Sequence, residues 1–164
     1  MKIAQIKYND PQNSITGFTL SIWYQYCPHK CEGCYNKSTW LKDGGEYYSL
    51  DKIKEIILNS KHKNVSLLGG EPLSELNRSE VIELIKWIKS ETSKTLYVWS
   101  GYIKEEIENW IDVNLIDYLI DGKFEKNKLN LKLVMRSSEN QRIFKNGNLI
   151  LDKDLNMWYT YNWG

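Results

Sequence analysis

All three cysteines of this chain lie in one stretch, Cys27-Pro28-His29-Lys30-Cys31-Glu32-Gly33-Cys34, and no other cysteine occurs. An odd, clustered set is not a disulfide framework. Several soft thiolates drawn to one place repel one another unless a cation offsets their charge, so the spacing points to a metal centre. The fold must therefore present one short loop where a metal group can sit.

The apolar pattern around that loop reads as strands alternating with helices. Phe18, Leu20, Ile22 and Tyr24 alternate with Thr19, Ser21 and Trp23, a period-two strand over residues 17–25 that runs straight into the cysteines. Ser49 is placed as an N-cap before Leu50, Ile53, Ile56 and Ile57. Residues 64–68 form a short strand ending at Gly69-Gly70. Asn77 and Glu80 resemble a capping box before Val81, Ile82, Leu84, Ile85 and Ile88. Residues 95–99 predict another strand, Ile103, Ile107, Trp110 and Ile111 a third helix, and residues 116–120 a further strand stopping at Asp121-Gly122. Asn146-Gly147 between two short apolar runs signals a C-terminal β-hairpin.

Strands separated by helix-length connections imply a mostly parallel sheet with right-handed crossovers. A closed eight-stranded barrel takes about 250 residues. With 164 residues, the expectation is a single α/β domain over 1–164: an incomplete (βα) barrel, open on one side, plus the hairpin. Lys plus Arg is 22 against 21 Asp plus Glu, so nothing draws the whole chain to nucleic acid or an anionic membrane. Seven tryptophans and eleven tyrosines are then read as core packing rather than base stacking. The absence of a long apolar run and of a leader-like N-terminus predicts a cytoplasmic protein.

In parallel α/β sheets, ligands bind where the strand-to-helix loops gather. The cysteine loop, Gly69-Gly70-Glu71-Pro72, Ser100-Gly101-Tyr102 and Asp121-Gly122-Lys123 should all share that rim. Paired glycines let backbone approach a ligand, and Glu71 is an acceptor suited to an ammonium group. Each of these short motifs alone reads as turn chemistry, and the Lys-rich stretch from Lys123 to Lys132 as a solvated loop. Three thiolates ligate only three irons of a 4Fe-4S cluster and leave one open. The other reading of the cysteines is a zinc-binding module completed by His29.

The Cys-x3-Cys-x2-Cys spacing followed by Gly-Gly-Glu-Pro resembles the radical S-adenosylmethionine (SAM) superfamily. Cys31-Glu32-Gly33-Cys34-Tyr35-Asn36-Lys37-Ser38-Thr39-Trp40, Trp99-Ser100-Gly101-Tyr102, Asp121-Gly122-Lys123-Phe124 and Ser138-Glu139-Asn140-Gln141-Arg142 are similar to the activating proteins of anaerobic (class III) ribonucleotide reductase. The family commonly has glycine where Tyr26 precedes the first cysteine. The resemblance implies a 4Fe-4S cluster on Cys27, Cys31 and Cys34, with SAM chelating the open iron. Reductive cleavage then gives a 5'-deoxyadenosyl radical that makes a glycyl radical on the partner reductase. It further implies that Gly69, Gly70 and Glu71 hold the methionine amino group, with Ser100 nearby and Asp121 and Lys123 at the sugar or carboxylate. Arg136, Asn140, Gln141 and Arg142 are the candidates for docking the reductase, against a plainer role capping the sheet edge. A flavodoxin-type or other low-potential donor would supply the electron. The alternative within the superfamily is an activase of another glycyl-radical enzyme, or a radical enzyme acting on a small molecule.

Overall fold

The computed structural model describes residues 1–155. Its centre is four parallel strands, β2 (Thr19–Tyr24), β4 (Asn64–Gly69), β5 (Thr95–Trp99) and β6 (Tyr118–Asp121). On one flank lie β1 (Lys2–Asp10) and β3 (Glu46–Tyr47), and on the other the hairpin β7 (Arg142–Lys145) and β8 (Asn148–Ile150). The order is β3-β1-β2-β4-β5-β6-β7-β8 in one mixed sheet. Both flanks pair antiparallel, so the parallel part anticipated from the sequence is confined to the four inner strands. The strand β1 was not expected, because Lys2, Gln5 and Lys7 interrupt its apolar residues.

Side chains alternate between the two faces of the sheet. On one face Leu20, Ile22, Tyr24, Val65, Leu67, Leu96, Val98, Leu119 and Phe144 join a core with Ile53 and Ile57 of α1 (Leu50–Asn59). Val81, Leu84, Ile85 and Ile88 of α2 (Arg78–Glu91) complete it. On the other face Tyr97, Tyr118, Ile120 and Ile143 pack with Ile15, the two tyrosine rings stacked 4.6 Å apart. Core packing accounts for only some of the aromatics, since Tyr8, Tyr35 and Tyr47 are exposed. Trp158, Tyr159, Tyr161 and Trp163 lie outside the described residues.

Local signals mostly act as chemistry dictates. Ser49 Oγ accepts from Lys52 N at 3.2 Å and caps α1. Asn146 (φ 46°) and Gly147 (φ 77°) supply the left-handed pair that a two-residue hairpin turn requires. The capping box expected at Asn77 does not form. Asn77 instead donates to Gln25 O at 3.0 Å and accepts from Lys2 N at 2.9 Å, tying the start of α2 to β1 and to the residue after β2. The third helix, α3, is only Lys104–Ile107. Asn109 Nδ2 donates to the carbonyls of Glu105 and Glu106, the groups that a continuing helix would use for its own amides.

Candidate metal and cofactor site

The loop leaving β2 turns back sharply, with Tyr26 (φ 77°), Lys30 (φ 46°) and Gly33 (φ 77°) all left-handed. Tyr26 carries this conformation with a side chain that makes it unfavourable, and is held there: its carbonyl accepts from Glu71 N at 2.8 Å and its hydroxyl donates to Glu75 at 2.7 Å. The turn sets Cys27, Cys31 and Cys34, all half-buried, into the wall of one cavity of about 170 Å³. Gly69 at the end of β4 with Gly70 and Glu71 after it, Ser100 and Gly101 after β5, and Gly122 and Lys123 after β6 line the same cavity. The four loops thus converge at the carboxyl ends of the parallel strands. Asn36, Trp40, Phe124 and Gln141 complete the wall.

Burial pushes the Cys27 thiol up to about 11, and the nearby Glu71 charge pushes the same way. The backbone amides of His29 and Lys30 oppose that shift by donating toward the sulfur. Cys31 is also raised, first by burial. Thiolates here need a positively charged group beside them. Among the described residues, no three His, Cys, Asp or Glu side chains group closely enough to hold a single ion. A 4Fe-4S cluster makes a different demand, since each thiolate binds its own iron, and three thiols on a glycine-walled cavity suit it. His29, the ligand a zinc module would need, has its Nε2 3.0 Å from Glu71 Oε2 instead.

Glu71 is fully buried, and both oxygens are engaged. Oε1 accepts from Leu73 N and Ser100 Oγ, each at 2.9 Å. Oε2 accepts from Gly101 N at 2.7 Å and faces His29. One carboxylate therefore ties together the cysteine loop, its own loop and the loop after β5. Gly69 (φ 107°) cannot be replaced cheaply, because an added Cβ would lie 2.8 Å from Tyr24 N. The same atom at Gly70 would lie 2.5 Å from Tyr26 O. These glycines let strands β2 and β4 come together at the rim.

The remaining expected residues divide. Lys123 is exposed on the cavity rim. Asp121 lies fully buried beneath it, its carboxylate taken by Arg142 and by Lys104 N at 2.6 Å. Gln141 donates to Gly122 O at 3.0 Å and accepts from Ser137 N and Ser138 N, while Asn140 donates to Lys123 O at 2.7 Å. Arg136 bonds Gln141 O and pairs with Asp152. The four docking candidates thus fold the segment that follows β6. The Lys-rich stretch is largely exposed, as a solvated loop should be, and within it Lys126 reaches Glu32 of the cysteine loop at 2.9 Å, while its aliphatic stem and Phe124 pack against Gly33.

The sequence reading missed the His29–Glu71 contact. Its signal was present in outline: parallel neighbours β2 and β4 are in register up to Tyr24 and Gly69, so the loops after them emerge side by side.

Comparison with known proteins points to an iron–sulfur family. A family model described as a 4Fe-4S single cluster domain matches residues 16–144. A protein of Enterobacteria phage T4 is 40% identical over 134 residues, covering 79% of this chain and 85% of its own. A protein of Escherichia coli strain K12 is 35% identical over 133 residues (76% and 86%). One of Vibrio cholerae serotype O1 is 34% identical over 137 residues (79% and 88%). All three bear the name anaerobic ribonucleoside-triphosphate reductase-activating protein.

Proposed function

The chain belongs to the family of anaerobic ribonucleoside-triphosphate reductase-activating proteins, and from that premise we propose how its site performs glycyl-radical activation. The observation that carries the reading is the single cavity lined by three cysteines, the Gly69-Gly70 backbone and the loops after β5 and β6. A 4Fe-4S cluster held there would supply one-electron chemistry for reductive cleavage of SAM, the step from which glycyl-radical formation on the reductase would follow.

Cys27, Cys31 and Cys34 would hold the cluster, three thiolates for four irons. Gly69 and Gly70 offer backbone to the methionine amino group from a turn where β2 and the residues after it fill the space of any side chain. Glu71 and Ser100 act as the frame of that wall. Lys123, exposed at the rim, would meet the cofactor carboxylate or sugar, while buried Asp121 would act through Arg142 and Lys104. Arg136, Asn140, Gln141 and Arg142 shape the wall the partner meets.

We read the sheet as part of a barrel whose missing side is closed by the partner. A radical in a half-open site is quenched unless something large excludes water, and a docked loop of the reductase catalytic subunit both seals the site and presents its hydrogen. A low-potential donor of flavodoxin type supplies the electron. No described helix is long and apolar enough to cross a membrane, and we place the reaction in the reducing cytoplasm, where exposed thiolate-bound clusters persist.

Anaerobic incubation with SAM, dithionite and the reductase tests this reading. The expected result is 5'-deoxyadenosine together with a glycyl-radical doublet that appears only when the reductase is present. Stoichiometric modification of a small metabolite with no protein radical would overturn it.

A further inference from the structure

Resting on the reading above, we propose that His29 is a positioning residue: it clasps the cysteine loop to the buried Glu71 carboxylate and so sets the cluster against the cofactor wall. Its ring nitrogen Nε2 lies 3.0 Å from Glu71 Oε2, and the side chain is only 6% exposed. The opposite role, metal ligand, is closed to that nitrogen.

The ring is fixed from two further sides. Tyr102 meets it edge-on, with centroids 4.5 Å apart at 72°. Tyr102 is itself braced by Trp110 at 5.0 Å, over whose ring the Arg78 guanidinium sits at 3.5 Å. Gly101 forms the floor, since any Cβ there would collide with the His29 ring. Gly101 lacks the positive φ that would demand glycine for backbone reasons, so its missing side chain is space reserved for the imidazole.

Both ends of His29 touch the chemistry. Its backbone lies midway between Cys27 and Cys31, two residues from each, and its ring engages the carboxylate that also holds Ser100 Oγ and Gly101 N. Groups that fix the orientation of a ligand loop tune the metal group it holds. Releasing the ring therefore disturbs the Cys27 environment and the cofactor wall together, with all three ligands still present.

The test uses the full-length, anaerobically reconstituted protein as wild type, His29→Ala, His29→Gln, Gly101→Ala and the His29→Ala/Gly101→Ala double variant. Three quantities are measured: iron and sulfide per chain, the electron paramagnetic resonance signal of the reduced cluster with and without SAM, and SAM affinity. His29→Ala should keep wild-type iron, shift the cofactor-free signal and weaken SAM binding at least tenfold. His29→Gln, whose amide can donate to Glu71, should restore most of both. Gly101→Ala should reproduce His29→Ala, and the double variant should be no worse than either single one. Loss of iron in His29→Ala, or an unshifted signal with SAM affinity within twofold of wild type, would overturn the clasp. If wild type itself fails to bind SAM, the activase reading falls, while the cofactor-free signal of the variants still decides the clasp.

Discussion

Arg142 grips the fully buried carboxylate of Asp121 with two guanidinium nitrogens, Nε at 3.0 Å from Oδ1 and Nη2 at 2.5 Å from Oδ2. The two residues are directly opposed across β6 and β7. The same guanidinium reaches Glu105 in α3 at 2.7 Å. A residue that the sequence offers either as a partner contact or as a cap on the sheet edge therefore locks the hairpin to the end of the parallel sheet.

Removing Arg142 would leave the Asp121 charge buried beside one backbone amide. Breaking a buried pair in this way costs about 3 kcal/mol or more. Arg142→Ala should therefore lower the urea unfolding midpoint strongly, with Arg142→Lys intermediate because an ammonium cannot make the two-pronged contact. An Arg142→Ala protein as stable as wild type, but defective only with the reductase, would assign the residue to docking.

Glu105 makes a pH prediction from the same cluster. The hydrogen bond from Arg142, the largest influence, holds its carboxyl down from 4.5 to about 2. A depressed folded value means the carboxylate contributes stability above its unfolded value, and that contribution is lost as pH falls toward about 2. The group is exposed, so the effect is small. The difference in unfolding midpoint between wild type and Glu105→Gln should stay constant from neutral pH down to the unfolded value and close below it. A difference that grows on acidification would contradict the assignment.

These contacts show where the sequence was legible and where it was not. Strand β2 follows from period-two patterning, and the other three parallel strands from short apolar runs before turn residues, which are local signals. Cys27, Cys31 and Cys34 share a wall with Gly69 and Gly70 because that topology leaves few alternatives. The partners of Glu71, Asp121 and Asn77 could not be read, since an acceptor facing a ligand and one satisfied by a neighbouring loop look alike in one dimension. The length of α3 was hidden for a related reason: its apolar spacing favours a longer helix, while the Asn109 side chain takes up the Glu105 and Glu106 carbonyls.

Each cysteine is the only protein ligand assigned to its iron. Cys27→Ala, Cys31→Ala and Cys34→Ala should each lose the 4Fe-4S absorption and SAM cleavage while the fold persists. The core that Leu20, Ile22 and Tyr24 build with α1 and α2 contains none of the three cysteines, so their removal leaves its packing intact. Iron and sulfide analysis with visible absorption checks the prediction, and a variant cleaving SAM at the normal rate would refute the three-ligand assignment.

Glu71 separates two ways a carboxylate can serve the cofactor. Held as it is by Leu73 N, Ser100 Oγ, Gly101 N and His29, it should act on SAM by ordering the wall, so that losing it costs both affinity and stability. Glu71→Ala leaves buried amides without acceptors, at about 1–3 kcal/mol each. The expected result is a lower unfolding midpoint, with SAM bound roughly ten- to a hundredfold more weakly, the equivalent of about 1.5–3 kcal/mol. Glu71→Gln should be nearly as damaging, because its amide turns a donor toward either the Leu73 or the Gly101 backbone amide, each of which requires an acceptor. Unfolding curves and SAM titration, run on the same reconstituted samples, distinguish the cases. Affinity lost at unchanged stability would mean that Glu71 touches the cofactor directly, and affinity unchanged in both variants would remove it from the site.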